Sequence, residues 1–95
     1  MVKLLIQNIL QPGKTYAVDA AKFEAMRKAY LMHVPQSGSG ATPAEIQRAL
    51  IPALPVDLFP GGEKAGWWAK AVQLDLEAKG VIRRNPTAPV RLLRA

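Results

Sequence analysis

The sequence contains no cysteine and only one histidine, His33. Without thiols the chain forms no disulfide, holds no thiolate zinc site and offers no cysteine nucleophile. A single histidine cannot complete the usual ligand sets of structural or catalytic zinc, so we predict no metal and no cofactor. The lack of cysteine fits a reducing compartment, and we expect a cytoplasmic protein.

Long apolar runs are also missing. The first residues are mostly apolar, but Gln7 and Asn8 interrupt them well below the length of a signal peptide or a membrane span. The sequence therefore predicts neither export nor membrane insertion.

Acidic residues are few, with 7 Asp and Glu against 13 Lys and Arg, and the formal net charge is +6. This balance allows attraction to nucleic acid or to acidic surfaces. The length of 95 residues indicates one globular domain. Because so small a domain buries only about two-thirds of its unfolded surface, a homodimer that shares apolar surface is a reasonable expectation.

Proline and glycine divide the chain into elements. Residues 1–18 are rich in β-formers on either side of Pro12 and Gly13, a pair that suits the centre of a type II turn. We predict an N-terminal extended arm or hairpin there, and a main unit over residues 19–95.

Three helices are predicted in the main unit. The first begins after the N-cap Asp19 and runs to about Val34. Its predicted inward face is formed by Phe23, Met26, Tyr30 and Val34. The second opens at Thr42-Pro43-Ala44-Glu45, which meets the requirements of a capping box with proline at the first helical position. Its predicted apolar face is formed by Ile46, Ala49, Leu50 and Ala53. The third runs from about Glu63 to Lys79 and stops at Gly80, which suits a left-handed C′ position.

The remaining segments are a connector and a second hairpin. Residues 54–62 contain too much proline and glycine for a regular element, and we expect Val56, Leu58 and Phe59 to anchor them to the core. Strands are predicted over Val81–Arg84 and Val90–Arg94, with a turn at residues 85–89. The chain is therefore of the α+β class.

The order of three helices followed by a hairpin resembles the winged helix-turn-helix domain, over about residues 19–94. The join Leu76-Glu77-Ala78-Lys79-Gly80-Val81-Ile82 carries this resemblance. In winged-helix proteins an apolar residue stands four places before the helix-ending glycine, and an apolar pair after it opens the wing. The resemblance implies a three-helix core with a C-terminal β-hairpin wing.

A second resemblance covers nearly the whole chain. The segments Asp57-Leu58-Phe59-Pro60-Gly61-Gly62, Ala65-Gly66-Trp67-Trp68 and Val72-Gln73-Leu74-Asp75-Leu76 look like the signature of a small bacterial family of unknown function. This resemblance implies a bacterial protein of winged-helix type and carries no established activity.

The leading functional hypothesis is binding to double-stranded DNA, in the manner of a transcriptional regulator. In the winged-helix analogy the third helix enters the major groove and cations of the hairpin contact phosphate. From Lys79 to the C-terminus there is no acidic residue. The alternative is a solvated strand pair whose arginines discourage edge-to-edge aggregation. The predicted phosphate contacts are Arg83, Arg84, Arg91 and Arg94, and the predicted base contacts are Lys70 and Gln73.

The third helix also favours a second hypothesis, a protein-interaction or dimerisation module that binds no nucleic acid. One apolar stripe, from Ala65 to Leu76, is the expected core face. A second apolar stripe requires cover by the N-terminal arm or by a second copy in a homodimer. The predicted interface residues on it are Trp67, Ala71 and Leu74. A polar strip remains between the two stripes, formed by Gly66, Lys70, Gln73 and Glu77.

Catalysis has little support, and we predict that the protein is not an enzyme. Asp75 and Glu77 diverge on a helix, and no serine neighbours His33. We interpret His33 as a partly buried or helix-capping residue. Gly61 and Gly62 are interpreted as a tight turn in preference to a phosphate site.

Overall fold

The computed structural model describes residues 2–85 and 88–95. These residues form three α-helices and two small antiparallel hairpins, which confirms the α+β class. Two short 3₁₀ helices lie between the second and third α-helices, Ile51–Ala53 just before the connector and Pro60–Gly62 within it. The regular elements are β1 (Lys3–Gln7), β2 (Thr15–Asp19), α1 (Ala20–His33), α2 (Pro43–Leu50), α3 (Ala65–Ala78), β3 (Ile82–Arg84) and β4 (Leu92–Arg94).

The N-terminal segment is a hairpin in which β1 and β2 pair antiparallel, with Leu5 opposite Ala17. Gly13 adopts a φ of 87° in the turn. The amide of Lys14 donates to the carbonyl of Gln11 at 3.2 Å, as a turn centred on Pro12-Gly13 requires. The predicted arm is therefore a closed hairpin.

Both predicted helix caps are present. The Asp19 carboxylate accepts hydrogen bonds from the amides of Ala21 and Lys22 at the start of α1. At the start of α2 the Thr42 hydroxyl accepts from the Glu45 amide at 3.1 Å, and the Glu45 carboxylate accepts from the Thr42 amide at 2.8 Å. Short polar side chains thus satisfy the helix amides that lack an intrahelical acceptor.

Three apolar residues do not lie where the sequence predicts. Ala49 and Ala53 are exposed, and Val56, expected to anchor the connector, is 77% exposed. The 3₁₀ turn after Leu50 changes the direction of the chain, so Ala53 does not continue the apolar face of α2. Phe59 is buried as predicted and anchors the connector.

α3 begins two residues later than predicted, at Ala65. Lys64 precedes it in the left-handed conformation, with a φ of 57°, and so cannot belong to the helix. The helix ends before Gly80, whose φ of 72° fits the predicted C′ position. The amide of Val81 donates to the carbonyl of Leu76 at 2.9 Å and closes the end of the helix.

The C-terminal hairpin joins β3 and β4 antiparallel, with Arg83 opposite Leu93. The segment before α2 reaches this hairpin through an isolated bridge between Ala41 and Leu92. Of the turn predicted at 85–89, Pro86 and Thr87 lie outside the described residues.

The core lies between α1 and α3, with α2, the connector and one face of each hairpin closing it. The predicted inward residues of α1 and the first stripe of α3 are buried in it. The largest apolar side chains that are almost completely buried there are those of Tyr30, Phe23, Met26, Ile46, Leu50, Leu76, Ile82 and Leu92.

Candidate interaction groove

The C-terminal half of α3 is buried on all sides, although the sequence predicts an exposed polar strip there. Gln73 is only 1% exposed, and Glu77 is also buried. The Tyr30 hydroxyl of α1 donates to Gln73 Oε1 at 3.5 Å, and Gln73 Nε2 donates to Glu77 Oε2 at 3.0 Å. The expectation that Gln73 lies on the exposed strip is wrong, and in this conformation its amide cannot reach a base edge.

Glu77 binds an arginine of the C-terminal hairpin. Arg84 Nε donates to Glu77 Oε1 at 2.5 Å, and Arg84 Nη2 donates to Oε2 at 2.9 Å. Burial by itself raises the pKa of Glu77, but the hydrogen bonds from Arg84 and Gln73 outweigh it and hold that pKa below its ordinary value. Arg84, predicted to bind phosphate, thus directs its guanidinium to a buried carboxylate.

The same network affects the tyrosine at its other end. Burial raises the pKa of the Tyr30 hydroxyl far above its ordinary value, and the nearby charge of Glu77 raises it further. Tyr30 therefore stays protonated and acts as a hydrogen-bond donor inside the core.

The other hairpin arginines have different surroundings. Arg94 Nη2 donates to the carbonyl of Leu31 in the last turn of α1. This contact is favourable because the C-terminal end of a helix carries a partial negative charge. Arg91 Nη1 lies 3.8 Å from Glu45 Oε1, a loose and solvated contact. Arg83 is exposed and makes no ion pair with any described residue. The structure therefore does not bring the four arginines together as one open basic surface.

Asp75 connects α3 to the N-terminal hairpin. Its side chain is 1% exposed, and Oδ1 accepts from the amide of Gln7 at 2.8 Å. Oδ2 accepts from Lys79 Nζ at 2.9 Å. Beside this contact, the amide of Ile9 donates to the carbonyl of Leu74 at 3.3 Å. These contacts hold the hairpin against the second apolar stripe of α3.

A groove of about 380 Å³ remains between this hairpin and α3. The hairpin forms the second wall of the groove. Side chains alternate between the two faces of each strand, and Ile6, its partner Tyr16 and Val18 lie on the face that meets α3. The walls are mostly apolar, and one ammonium group, that of Lys70, is the sole charge among the described lining residues. From α3 the groove is lined by Trp67, Lys70, Ala71 and Leu74.

The three predicted interface residues all line this groove, but they are covered to different degrees. Leu74 is buried beneath the chain's own hairpin, and Ala71 is partly buried. Trp67 remains 57% exposed. Its ring meets the ring of buried Trp68 edge-on at 5.1 Å, and Trp68 meets Phe59 in the same way at 6.4 Å. Trp67 is thus an exposed aromatic residue supported by the core.

Comparison with known protein families shows which family the chain belongs to. A model described as "Family of unknown function (DUF6958)" matches residues 3–92. The chain belongs to this family. The match agrees with the resemblance to a family of unknown function, and the family description assigns no activity. No curated protein and no solved structure is significantly similar to the chain.

The histidine and the acidic residues are further candidates for catalytic or metal-binding groups. His33 Nδ1 lies 2.8 Å from the carbonyl oxygen of Ala29, which satisfies the ring within its own helix. Across residues 2–85 and 88–95 no three acidic or histidine side chains converge as metal ligands, and no helix could cross a membrane.

The N-terminal hairpin covers part of the second apolar stripe, which is one of the two covers that the sequence predicts. The hairpin residues that form the wall and the role of Asp75 were not predicted. Alternation of Leu4 and Ile6, and of Tyr16 and Val18, was the available signal, because a period of two marks a half-buried strand. For Asp75 no such signal existed, since its partner Gln7 is 68 residues away and bonds through its backbone.

Proposed function

We propose that this domain is a protein-interaction module with a winged-helix fold, and that the groove between the N-terminal hairpin and α3 is its contact surface. The main observation behind this proposal is that Trp67 is exposed at the edge of an apolar groove. Tryptophan is enriched among residues that dominate binding energy, and a ring already fixed by Trp68 loses little entropy on binding.

Several features support the winged-helix part of this proposal. The chain runs through three helices into an antiparallel hairpin, and the bridge between Ala41 and Leu92 ties the α1–α2 connection to that hairpin. By analogy α3 corresponds to the recognition helix and β3–β4 to the wing.

The same comparison explains why base reading is not the preferred function. The N-terminal hairpin packs on the face of α3 that a recognition helix leaves open, and Leu74 is buried beneath it. Gln73 bonds inside the protein, and Arg84 bonds to Glu77. Of the predicted base contacts only Lys70 stays exposed.

Photo-crosslinking tests the proposed surface. With p-benzoylphenylalanine in place of Trp67 or Ala71, we expect protein adducts of discrete mass in the native cell. The same group in place of Val56, which is exposed in the connector, serves as the control and should give none. Mass spectrometry of the adduct distinguishes a different protein from a second copy of this chain. Equal crosslinking at all three positions, or none in the groove, contradicts the proposal.

Binding to double-stranded DNA is the second candidate, favoured by the net charge of +6 and by the exposed cations Lys64, Lys70 and Arg83. Such binding is led by the phosphate backbone and weakens steeply with salt. Anisotropy of a mixed-sequence duplex across a salt series tests it. Arg83→Ala should weaken binding and lower the salt slope by about 1, whereas Arg48→Ala on α2 should leave both unchanged. Absence of binding at low salt excludes this candidate.

A further inference from the structure

We infer that the occupant of the groove is a segment of a different protein that presents an aliphatic or aromatic side chain beside a carboxylate. The inference rests on the proposed function and assigns a partner chemistry to the same surface.

The walls of the groove require an apolar occupant. Ile6, Val18, Ala71 and Leu74 contribute aliphatic surface, and Trp67 contributes an aromatic edge. Removing such surface from water is the main favourable term in association. A volume of about 380 Å³ lies at the lower end of small-ligand pockets, enough for one or two side chains of a bound segment.

The charge of the groove requires an acidic group near that apolar side chain. Lys70 is exposed on the rim and makes no ion pair with any described residue. No carboxylate is among the described residues that line the groove. Asp75 is bonded to Gln7 and Lys79. Glu77, which Lys70 attracts from a distance, is bonded to Arg84. An ammonium beside an apolar wall attracts a carboxylate more strongly than one surrounded by water.

The same charge argues against a second copy as the occupant. The chain carries +6, so self-association through this surface would bring like charges together. A partner segment with acidic residues instead gains from the long-range field of the whole domain as well as from Lys70.

A random dodecapeptide library displayed on phage is the probe. Selection is made on the full chain, after subtraction on Trp67→Ala, so that retained peptides depend on the groove. We expect a consensus with Asp or Glu within a few positions of Leu, Ile, Phe or Trp. The affinities of synthetic copies are then measured by fluorescence anisotropy on each variant, with circular dichroism to confirm folding.

Two matched pairs of variants sharpen the measurement. Trp67→Ala should weaken binding at least about thirtyfold, as expected for a central aromatic anchor, while Val56→Ala should not change it. Lys70→Gln should weaken binding roughly fivefold, the upper range for an exposed ion pair, while Lys28→Gln on α1 should not change it. The effect of Lys70→Gln should shrink at high salt.

The outcomes separate this inference from the proposed function. Peptides that need Trp67 but carry no acidic residue, or bind Lys70→Gln as well as the native chain, overturn the inference and leave the interaction module standing. Self-association in the ultracentrifuge that Trp67→Ala abolishes also overturns the stated occupant. A library that yields no Trp67-dependent peptide contradicts both.

Discussion

Removing the Asp75 carboxylate tests how the N-terminal hairpin is held on α3. Asp75→Ala deletes the acceptor of the Gln7 amide and leaves that amide without its partner. A hydrogen bond to a charged group contributes about 1.5–3 kcal/mol, and an exposed helical ion pair about 0.3–0.5 kcal/mol. Lys79 is 41% exposed, so its pair with Asp75 belongs to the weaker kind. The free energy of unfolding should fall by about 2–3 kcal/mol.

The assay is thermal and urea unfolding followed by circular dichroism. For a domain of this size, a loss of 2 kcal/mol lowers the Tm by at least about 8 °C. Asp75→Asn should lose less, since its amide oxygen can still accept from Gln7, and Lys79→Ala should lose only about 0.5 kcal/mol. Asp57→Ala, at an exposed carboxylate, is the control and should leave the Tm unchanged.

Hydrogen exchange locates the effect. In Asp75→Ala the amides of Gln7 and Ile9 should exchange faster, because both bond to α3 in the native chain. Peptide binding to the groove should weaken with them, since the hairpin forms one wall. Equal unfolding temperatures for Asp75→Ala and Asp57→Ala would refute the reasoning.

Three further predictions concern the core, the loop before α2 and the buried carboxylate. Trp68→Ala should lower the free energy of unfolding by about 3–5 kcal/mol, and Trp67→Ala by less than about 1 kcal/mol. Urea unfolding measures both, and equal losses would mean that Trp67 belongs to the core. Gly38→Ala should cost about 1 kcal/mol for its left-handed backbone, and Gly40→Ala at least about 1 kcal/mol more, because only at Gly40 would a Cβ lie 2.8 Å from the Leu92 carbonyl oxygen. The pKa of Glu77 is lowered in the folded chain, so its carboxylate stabilises the fold at pH values above its unfolded pKa, and this stabilisation is lost as the pH falls through its folded pKa. The difference in unfolding free energy between the native chain and Glu77→Gln should therefore shrink below about pH 4.3. A difference that stays constant down to acidic pH would contradict this.

Local signals in the sequence predicted the elements well. Asp19 and the Thr42–Glu45 box each act within three residues, so the amide groups they satisfy are known without the fold. The positions of Gly80 and of the Pro12-Gly13 turn were also predictable from local sequence, because backbone stereochemistry alone restricts which residues fit there. The apolar spacing of α3 likewise predicted its core face correctly.

Only the tertiary structure determined how α3 is covered. Helical periodicity placed Gln73 and Glu77 on one strip, but their burial depends on Tyr30 and Arg84, which arrive from other elements. A polar side chain can lie inside a protein when its partners are close, and the sequence of one helix does not contain those partners. The groove arises in the same way, because the hairpin and α3 meet across 68 residues of chain at the contact of Gln7 with Asp75. The sequence by itself therefore determined the type and order of the α-helices and strands and the residues that cap the helices, whereas long-range pairing determined which polar groups are buried and which aromatic ring, Trp67, stays exposed.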